Sequence, residues 1–378
     1  MNSENIITIN GQPFPFTPGE TILQVAQRNG VLIPTLCHLK GARPTGTCRI
    51  CLVEVEGEKD LVESCAFPAT PGLAVDTDSS QVISERRTIL ELLMVSGEHN
   101  CLFQDVGDDS WADFQTKATD LEEHLDICPA YGVCGLQALA IQYGAEIDPS
   151  QLRSAQYPVE NVNPFIVRDF SRCILCGRCI KACNEIQVNN VIEFDSEDSA
   201  TKVVTDGDRA LKDSDCVFCG ECVQACPVGA LVPKQDILDG HLPAEARMIR
   251  TTCSYCGVGC QLYLHVRDNK VIKVTGDEET GPNYGSLCVK GRFGYDFIND
   301  PERLKTPLIR ENGSFREASW DEALKLVGEK LALIKKDSGP DSIGVLTSAR
   351  ITNEENYVAQ KFARAAIGTN NVDHCARL

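Results

Sequence analysis

Aromatic residues are scarce: Phe, Trp and Tyr make up 6% of the 378 residues, with two Trp in all. A core so poor in rings cannot take its stability mainly from them. Long apolar runs are missing too. No stretch approaches the ~20 residues of a membrane-crossing helix, which excludes that class. Basic residues are outnumbered, 36 Lys and Arg against 54 Asp and Glu, for a net charge of −18. The balance excludes the basic stripe of a nucleic-acid surface. A solvated acidic surface is the simplest reading, and an acidic docking patch for a redox partner is the alternative. Glu4 to Ile9 reads as a strand, without the basic start and apolar run of a signal peptide, and no twin arginine occurs. A cytoplasmic location is expected.

Cysteine is what the chain has in plenty, 20 residues in all. In a cytoplasmic chain that density means metal ligation rather than disulfides, in a cell that is anaerobic or shields its clusters from oxygen. A small core short of rings leans on such ligation for folding energy. All but Cys375 fall into five sets with metal-ligand spacing. Two sets read C-x2-C-x2-C-x3-C, 43 residues apart: Cys173, Cys176, Cys179, Cys183 and Cys216, Cys219, Cys222, Cys226, the second followed by Pro227. In that arrangement the fourth cysteine of each run ligates the other cubane. Cys173, Cys176, Cys179 and Cys226 are therefore expected to hold one [4Fe–4S] cluster. Cys216, Cys219, Cys222 and Cys183 are expected to hold a second.

Upstream stand Cys37, Cys48, Cys51 and Cys65, spaced C-x10-C-x2-C-x13-C. The stretch from Gly41 to Cys51 is expected to wrap an iron–sulfur cluster and aim backbone N–H groups at its sulfurs. Tetrahedral zinc is the alternative, disfavoured by the ten-residue first loop. Next come His99, Cys101, Cys128 and Cys134, a His/Cys3 set for a [4Fe–4S] cluster. His99 is preferred as the histidine over His124, which stands four residues before Cys128. The acidic insert between Cys101 and Cys128 carries Phe103, Trp111 and Phe114, expected to cap that cluster. The last set is Cys253, Cys256, Cys260 and Cys288, where Gly257 and Gly259 suit a tight loop round a cubane; alone it would also suit zinc. Lys290 is a basic group beside this set, and in isolation reads as a surface lysine.

The local pattern predicts a strand to Ile9, a turn at Gly11 to Pro13, and a helix capped by Thr21 and ended by Gly30. A helix is expected over 85–96, a hairpin from 191–194 and 202–205, and another over 261–274 turning at Asp268 and Asn269. From Ser319 the texture changes to α–β–α: a capping box at Ser319 and Glu322 opens a helix, a buried strand follows over 341–347, and a second helix over 353–367.

These residues carry a resemblance that spans the chain. Residues 1 to about 235 resemble the N-terminal electron-transfer region of the large iron–sulfur subunit of complex I and of iron-only hydrogenases. Residues 250–378 resemble the start of molybdenum- or tungsten-pterin oxidoreductases, through Cys253-Ser-Tyr-Cys256-Gly-Val-Gly-Cys260 and Leu287-Cys288-Val-Lys290-Gly-Arg292-Phe293. The combination is similar to the catalytic subunit of cytoplasmic formate dehydrogenases. That implies an α+β multi-domain chain: a β-grasp [2Fe–2S] ferredoxin-like domain (1–80), a His/Cys3 [4Fe–4S] segment (81–150), a 2x[4Fe–4S] ferredoxin domain (160–240), a molybdopterin-oxidoreductase [4Fe–4S] domain (247–305) and the incomplete start of an α/β pterin domain (306–378). It implies one [2Fe–2S] cluster at the Cys37 set and four [4Fe–4S] clusters, with a molybdenum or tungsten bis-pterin guanine dinucleotide in the full-length protein. In that family the lysine matching Lys290 lies between cubane and pterin, which implies a cofactor-binding role. The insert after Cys101 departs from the family's short loop there.

Val372 to Leu378 resembles the segment leading into the metal-binding selenocysteine or cysteine of formate dehydrogenases. The chain is thus expected to be a selenoprotein cut short at a UGA codon, inactive towards formate by itself, with Cys375 structural. Electrons are expected to leave through the Cys253 set, the ferredoxin pair, the His99 set and lastly the Cys37 set, towards a flavin subunit reaching NAD(P) or a ferredoxin. The rival readings are a complete, non-catalytic relay subunit of an NADH-dehydrogenase-like or hydrogenase complex, and a zinc-stabilised scaffold.

Overall fold

The computed structural model describes residues 5–99, 101, 128–153, 157–195, 201–234 and 246–375. His124 and the insert bearing Phe103, Trp111 and Phe114 lie outside the described residues. Contacts divide the chain into two compact units, Met1–Ala246 and Arg247–Leu378.

In the first unit β1 (Ile6–Ile9) and β2 (Gln12–Pro15) pair antiparallel. The turn falls at Asn10 and Gly11, one residue earlier than expected, with φ of 51° and 78°. A two-residue hairpin turn of this hand needs positive φ at both positions, which Asn and Gly reach at least cost. β1 runs parallel to β5 (Ala74–Asp76), which pairs with β3 (Leu52–Val55), and β3 with β4 (Val62–Glu63), giving the order β2-β1-β5-β3-β4. α1 (Ile22–Arg28) opens on a full capping box between Thr21 and Gln24. Its Ile22, Leu23, Val25 and Ala26 pack with Ile7, Ile9, Val53 and Val75. A helix laid on a mixed sheet is the β-grasp arrangement.

α2 (Ser80–Val95) starts earlier than expected because the Ser79 hydroxyl accepts from the Val82 N–H. Val82, Arg86, Leu90 and Met94 are its buried residues, one per turn. Arg86 is fully buried. It donates to the carbonyl oxygens of Ile50 (3.1 Å) and Leu52 (2.8 Å) and to the Tyr143 hydroxyl (2.9 Å). The guanidinium thereby ties the chain leaving Cys51 to α2 and to the end of α3 (Gly135–Gln142).

β6 (Ile166–Arg168) and β9 (Leu231–Pro233) pair antiparallel and close the next segment on itself. Between them lie α4 (Arg178–Lys181), which runs on as a π-helical turn over Ala182–Ile186, and α5 (Glu221–Ala225). β7 (Ile192–Asp195) and β8 (Lys202–Thr205) form the expected hairpin.

The second unit opens with an antiparallel sheet of β10 (Arg247–Thr252), β11 (Gln261–Arg267) and β12 (Lys270–Gly276). Its second hairpin turns at Asp268 and Asn269, as expected, both at positive φ. α6 (Val289–Phe293) and α7 (Asp296–Asn299) follow, and the Tyr295 hydroxyl between them donates to the Ile272 carbonyl at 2.7 Å. β13 (Leu308–Glu311) and β14 (Ser314–Glu317) form a hairpin leading to α8 (Trp320–Ser338). Half of the expected capping box forms there. Ser319 accepts from the Glu322 N–H, but the Glu322 carboxylate pairs with Arg316.

β15 (Val345–Thr347) runs parallel to β16 (Val372–His374), with α9 (Asn353–Lys361) between them in sequence. The strand expected to be buried over 341–347 is short, and Leu346 is 85% exposed. Only two strands form this sheet among the described residues, and its Val345, Thr347 and Val372 are half-buried. α8 buries none of its residues, and Trp320, Leu324, Val327 and Leu333 stay in solvent.

Candidate metal centres

Cys37, Cys48, Cys51 and Cys65 are all buried. Cys51 and Cys65 belong to the core of the β-grasp sheet, Cys37 and Cys48 to a second core around α2 and α3. The set therefore lies where two apolar cores meet. The Cys37 N–H donates to Cys48 Sγ at 3.3 Å. A thiol–thiol hydrogen bond lowers Cys37 and raises Cys48, and another holds Cys51 down at about 7 and raises Cys65.

The two C-x2-C-x2-C-x3-C runs fold alike. Leu175 and Phe218, each two residues past the first cysteine, adopt φ of 52° and 54°. Their N–H groups donate to Cys173 Sγ and Cys216 Sγ, each at 3.4 Å. Gly177 and Gly220 then enter α4 and α5 at φ of 72° and 73°. A left-handed Leu and Phe cost energy, and such strain persists where the surroundings need it; here it aims an N–H at a thiolate. Burial pushes Cys173 up to about 12 and Cys176 up to about 11, and Cys179 well above the ordinary range. After burial, the charges raising Cys179 come from Cys173, Cys176 and Cys226, then Cys222. Those raising Cys222 come from Cys219, Cys216 and Cys183, then Cys226. Each fourth cysteine thus faces the other run's set.

His99 is 5% exposed, and its Nε2 is buried without a hydrogen-bond partner. Burial, then the nearby Arg172 charge, pulls it down to about 4, which keeps the ring neutral with a lone pair to give. Cys101, Cys128 and Cys134 are buried in the same core as Cys173, Cys176 and Cys226. Burial pushes Cys134 up to about 12, with Cys128 and Cys101 adding to the rise. Cys134 also caps α3, its Sγ accepting from the Gln137 N–H at 3.5 Å. The wall of this set is borrowed from the next one. The Gly135 N–H donates to the Pro227 carbonyl at 2.8 Å, the Glu98 N–H to the Ser171 carbonyl at 2.9 Å, and Arg172 reaches the Glu98 carbonyl at 3.0 Å.

In the second unit Cys253 is buried, Cys256 and Cys260 half-buried and Cys288 exposed. Cys253, Cys256 and Cys288 all act to raise the Cys260 thiol, after burial. Cys288 precedes α6, which places the exposed Lys290 on that helix beside the Cys253 set. A cavity of about 680 Å³ opens by the cluster loop, at the carboxyl ends of β15 and β16, lined by Gly257, Thr347, Ser348, Asn353, Asp373 and His374. Ligands of open parallel sheets bind at such strand ends. The Asn353 amide donates to the Gly257 carbonyl at 2.7 Å and ties α9 to the cluster loop.

The donor sets fit iron–sulfur clusters. They are four sets of four thiols and one of three thiols with a neutral imidazole whose buried nitrogen is orphaned, and backbone N–H groups point at sulfur at Cys48, Cys134, Cys173 and Cys216. Among the described residues, no three His, Cys, Asp or Glu side chains converge on a point where one ion would sit. The sequence reading missed Arg172, Lys181, Asn353 and Gly229, which act across long sequence distances. Only Lys181 was signalled, by standing within a ligand run.

Residues 246–300 match the family "Molybdopterin oxidoreductase Fe4S4 domain" and residues 303–378 "Molybdopterin oxidoreductase". Residues 246–378 thus carry two molybdopterin oxidoreductase domains in succession. Ahead of those domains, residues 4–80 match a "2Fe-2S iron-sulfur cluster binding domain" and residues 172–230 a "4Fe-4S dicluster domain". Among curated relatives, "Putative formate dehydrogenase YrhE" of Bacillus subtilis is 34% identical over 98% of this chain and 39% of its own length. "NADPH-Fe(3+) oxidoreductase subunit alpha" of Geobacter sulfurreducens is 36% identical over 98% of this chain and 40% of its own. The chain thus spans about two fifths of the length of these relatives. A solved NAD+-reducing [NiFe]-hydrogenase chain is similar over 61% of this chain and 87% of its own, at 30% identity and a TM-score of 0.51. The chain is an α+β molecule carrying iron–sulfur domains in the order [2Fe–2S], [4Fe–4S] pair, molybdopterin-type [4Fe–4S]. No helix among the described residues is long and apolar enough to cross a membrane.

Proposed function

We propose that the chain is the iron–sulfur electron-transfer portion of a formate dehydrogenase alpha subunit. The whole protein would interconvert formate and carbon dioxide at a molybdenum or tungsten bis-pterin centre and pass electrons to a flavin/NAD(P) subunit or a ferredoxin. The observation that carries the relay reading is the arrangement of 19 thiols and His99 into five sets, every member but Cys288 buried or half-buried. The formate reading draws support from the relatives' names and from the segment Val372 to Leu378.

One [2Fe–2S] and four [4Fe–4S] clusters supply one-electron carriers when bound. The chain's residues hold and tune them. Cys37, Cys48, Cys51 and Cys65 hold the first, and His99 with Cys101, Cys128 and Cys134 another. The cross-ligated runs hold two, and Cys253, Cys256, Cys260 and Cys288 the last. Backbone donors at Leu175 and Phe218 offset thiolate charge. Lys290 lies beside the Cys253 set, where it would meet a pterin.

The expected route runs from the Cys253 set through the ferredoxin pair and the His99 set to the Cys37 set. The loop from Cys37 to Thr47 meets α4 directly, through Lys181 and through the Arg43 N–H, which donates to Glu185 Oε2 at 2.8 Å. The Cys37, His99 and Cys173 sets share one core, which holds Cys37, Cys48, Cys101, Cys128, Cys134, Cys173, Cys176 and Cys226. The test supplies formate anaerobically to the full-length protein without an external acceptor. The reduced [2Fe–2S] signal in electron paramagnetic resonance (EPR) is then followed. Its appearance with formate is expected. Reduction by dithionite but never by formate would remove the formate claim and leave the relay. The rival, a non-catalytic relay subunit, predicts that second result.

A further inference from the structure

Lys181 is 5% exposed, on the last turn of α4 between Cys179 and Cys183. Its Nζ donates to the Cys37 carbonyl at 3.3 Å and to Thr45 Oγ1 at 3.1 Å. Both acceptors are neutral. Among the described residues no carboxylate pairs with this ammonium, since Glu185, one turn on, is taken by Arg43. Arg178, three residues earlier, faces the same region, and its Nε is buried without an acceptor. Two cations thus stand between the Cys37 loop and the Cys173 set. Burying a charge without a partner is costly, so an anion absent from the protein atoms must answer it. A cluster held by four thiolates is an anion, and it gains one more negative charge when reduced.

We propose that Lys181 sets the potential of the centre at Cys37, Cys48, Cys51 and Cys65, its ammonium stabilising the reduced cluster while its hydrogen bonds hold the ligand loop against α4. Reduction of a cluster held there would add one electron, drawn from a neighbouring [4Fe–4S] centre that loses one. Lys181 is a positioning residue, acting on the cluster through the Cys37 loop. The inference rests on the relay reading only through the cluster at Cys37, and formate plays no part in its test.

The test is an EPR-monitored titration of the iron-loaded 378-residue chain with dithionite and redox mediators. Lys181→Gln keeps a donor for the Cys37 carbonyl but removes the charge, and Lys181→Arg keeps the charge. At the poise that half-reduces the wild-type [2Fe–2S] centre, K181Q is expected to lower the reduced-to-oxidised ratio about tenfold, ~59 mV for one electron. K181R is expected to stay near wild type, and the signals of the Cys253 set should not move. A K181Q ratio matching wild type overturns the assignment. So does loss of the [2Fe–2S] signal in K181Q, which would leave Lys181 a structural prop.

Discussion

Gly229→Ala should remove one cluster and spare the rest. Gly229 follows Cys226 in the loop that backs the His99 set, and a Cβ there would stand 2.8 Å from Cys128 Sγ. Ordinary contact between such atoms begins near 3.5 Å, so the sulfur or the loop must move by about 0.7 Å. Metal–ligand distances tolerate only about 0.2 Å. Relief by tilting is blocked, because the same Cβ would lie 3.4 Å from Ala130 Cβ and 3.5 Å from Arg172 Cδ. On the far side the Pro227 carbonyl is pinned by the Gly135 N–H. The overpacking costs about 1–3 kcal/mol, too little to unfold the chain. Iron analysis should fall by about four atoms per chain, the content of one [4Fe–4S] cluster. The [2Fe–2S] EPR signal should remain. A G229A chain with full iron and an unchanged [4Fe–4S] spectrum would refute the placing of Cys128 as a ligand.

Three further outcomes follow from the same geometry. Arg86→Met leaves the Ile50 and Leu52 carbonyls without their donor, and the urea midpoint for loss of [2Fe–2S] absorbance should drop by the equivalent of about 2–6 kcal/mol; an unchanged midpoint would contradict the clamp. His265 is held down at about 4, by burial first and then by Lys273, so the unfolded chain protonates it before the folded one does. The second unit should therefore be most stable above pH ~6.5 and lose up to about 3 kcal/mol as pH falls towards 4. His265→Gln should flatten that slope in urea titrations. Finally, burial holds Cys134 and Cys173 up at about 12, so iron binding must expel their protons. Reconstitution of the iron-free chain should improve as pH rises, and pH-independent loading would count against thiolate ligation.

The [2Fe–2S] and [4Fe–4S] domains were legible in the sequence because ligand spacing is local and strict, and the exchange of fourth ligands is a proposal drawn from that spacing. Positive-φ turns at Asp268 and Asn269, and the cap at Thr21, were legible for the same reason. What escaped was non-local. Arg86 reads as the polar face of an amphipathic helix until Ile50, Leu52 and Tyr143 are seen around it. Gly229 carries no signal of its own, since its need for space comes from Cys128, about a hundred residues earlier. The strand at Val345 looked buried because its residues are apolar, yet burial depends on neighbouring strands and helices that the described residues do not supply. The contact of Lys181 with the Cys37 loop joins positions 144 apart.

The most direct test of the account is to count the metal in the anaerobically prepared 378-residue chain, by iron, sulfide and zinc analysis with EPR spin quantitation. One [2Fe–2S] and four [4Fe–4S] centres predict about 18 iron atoms per chain, matching sulfide and no zinc. Stoichiometric zinc in a colourless protein, with iron far below that figure, would contradict the relay itself.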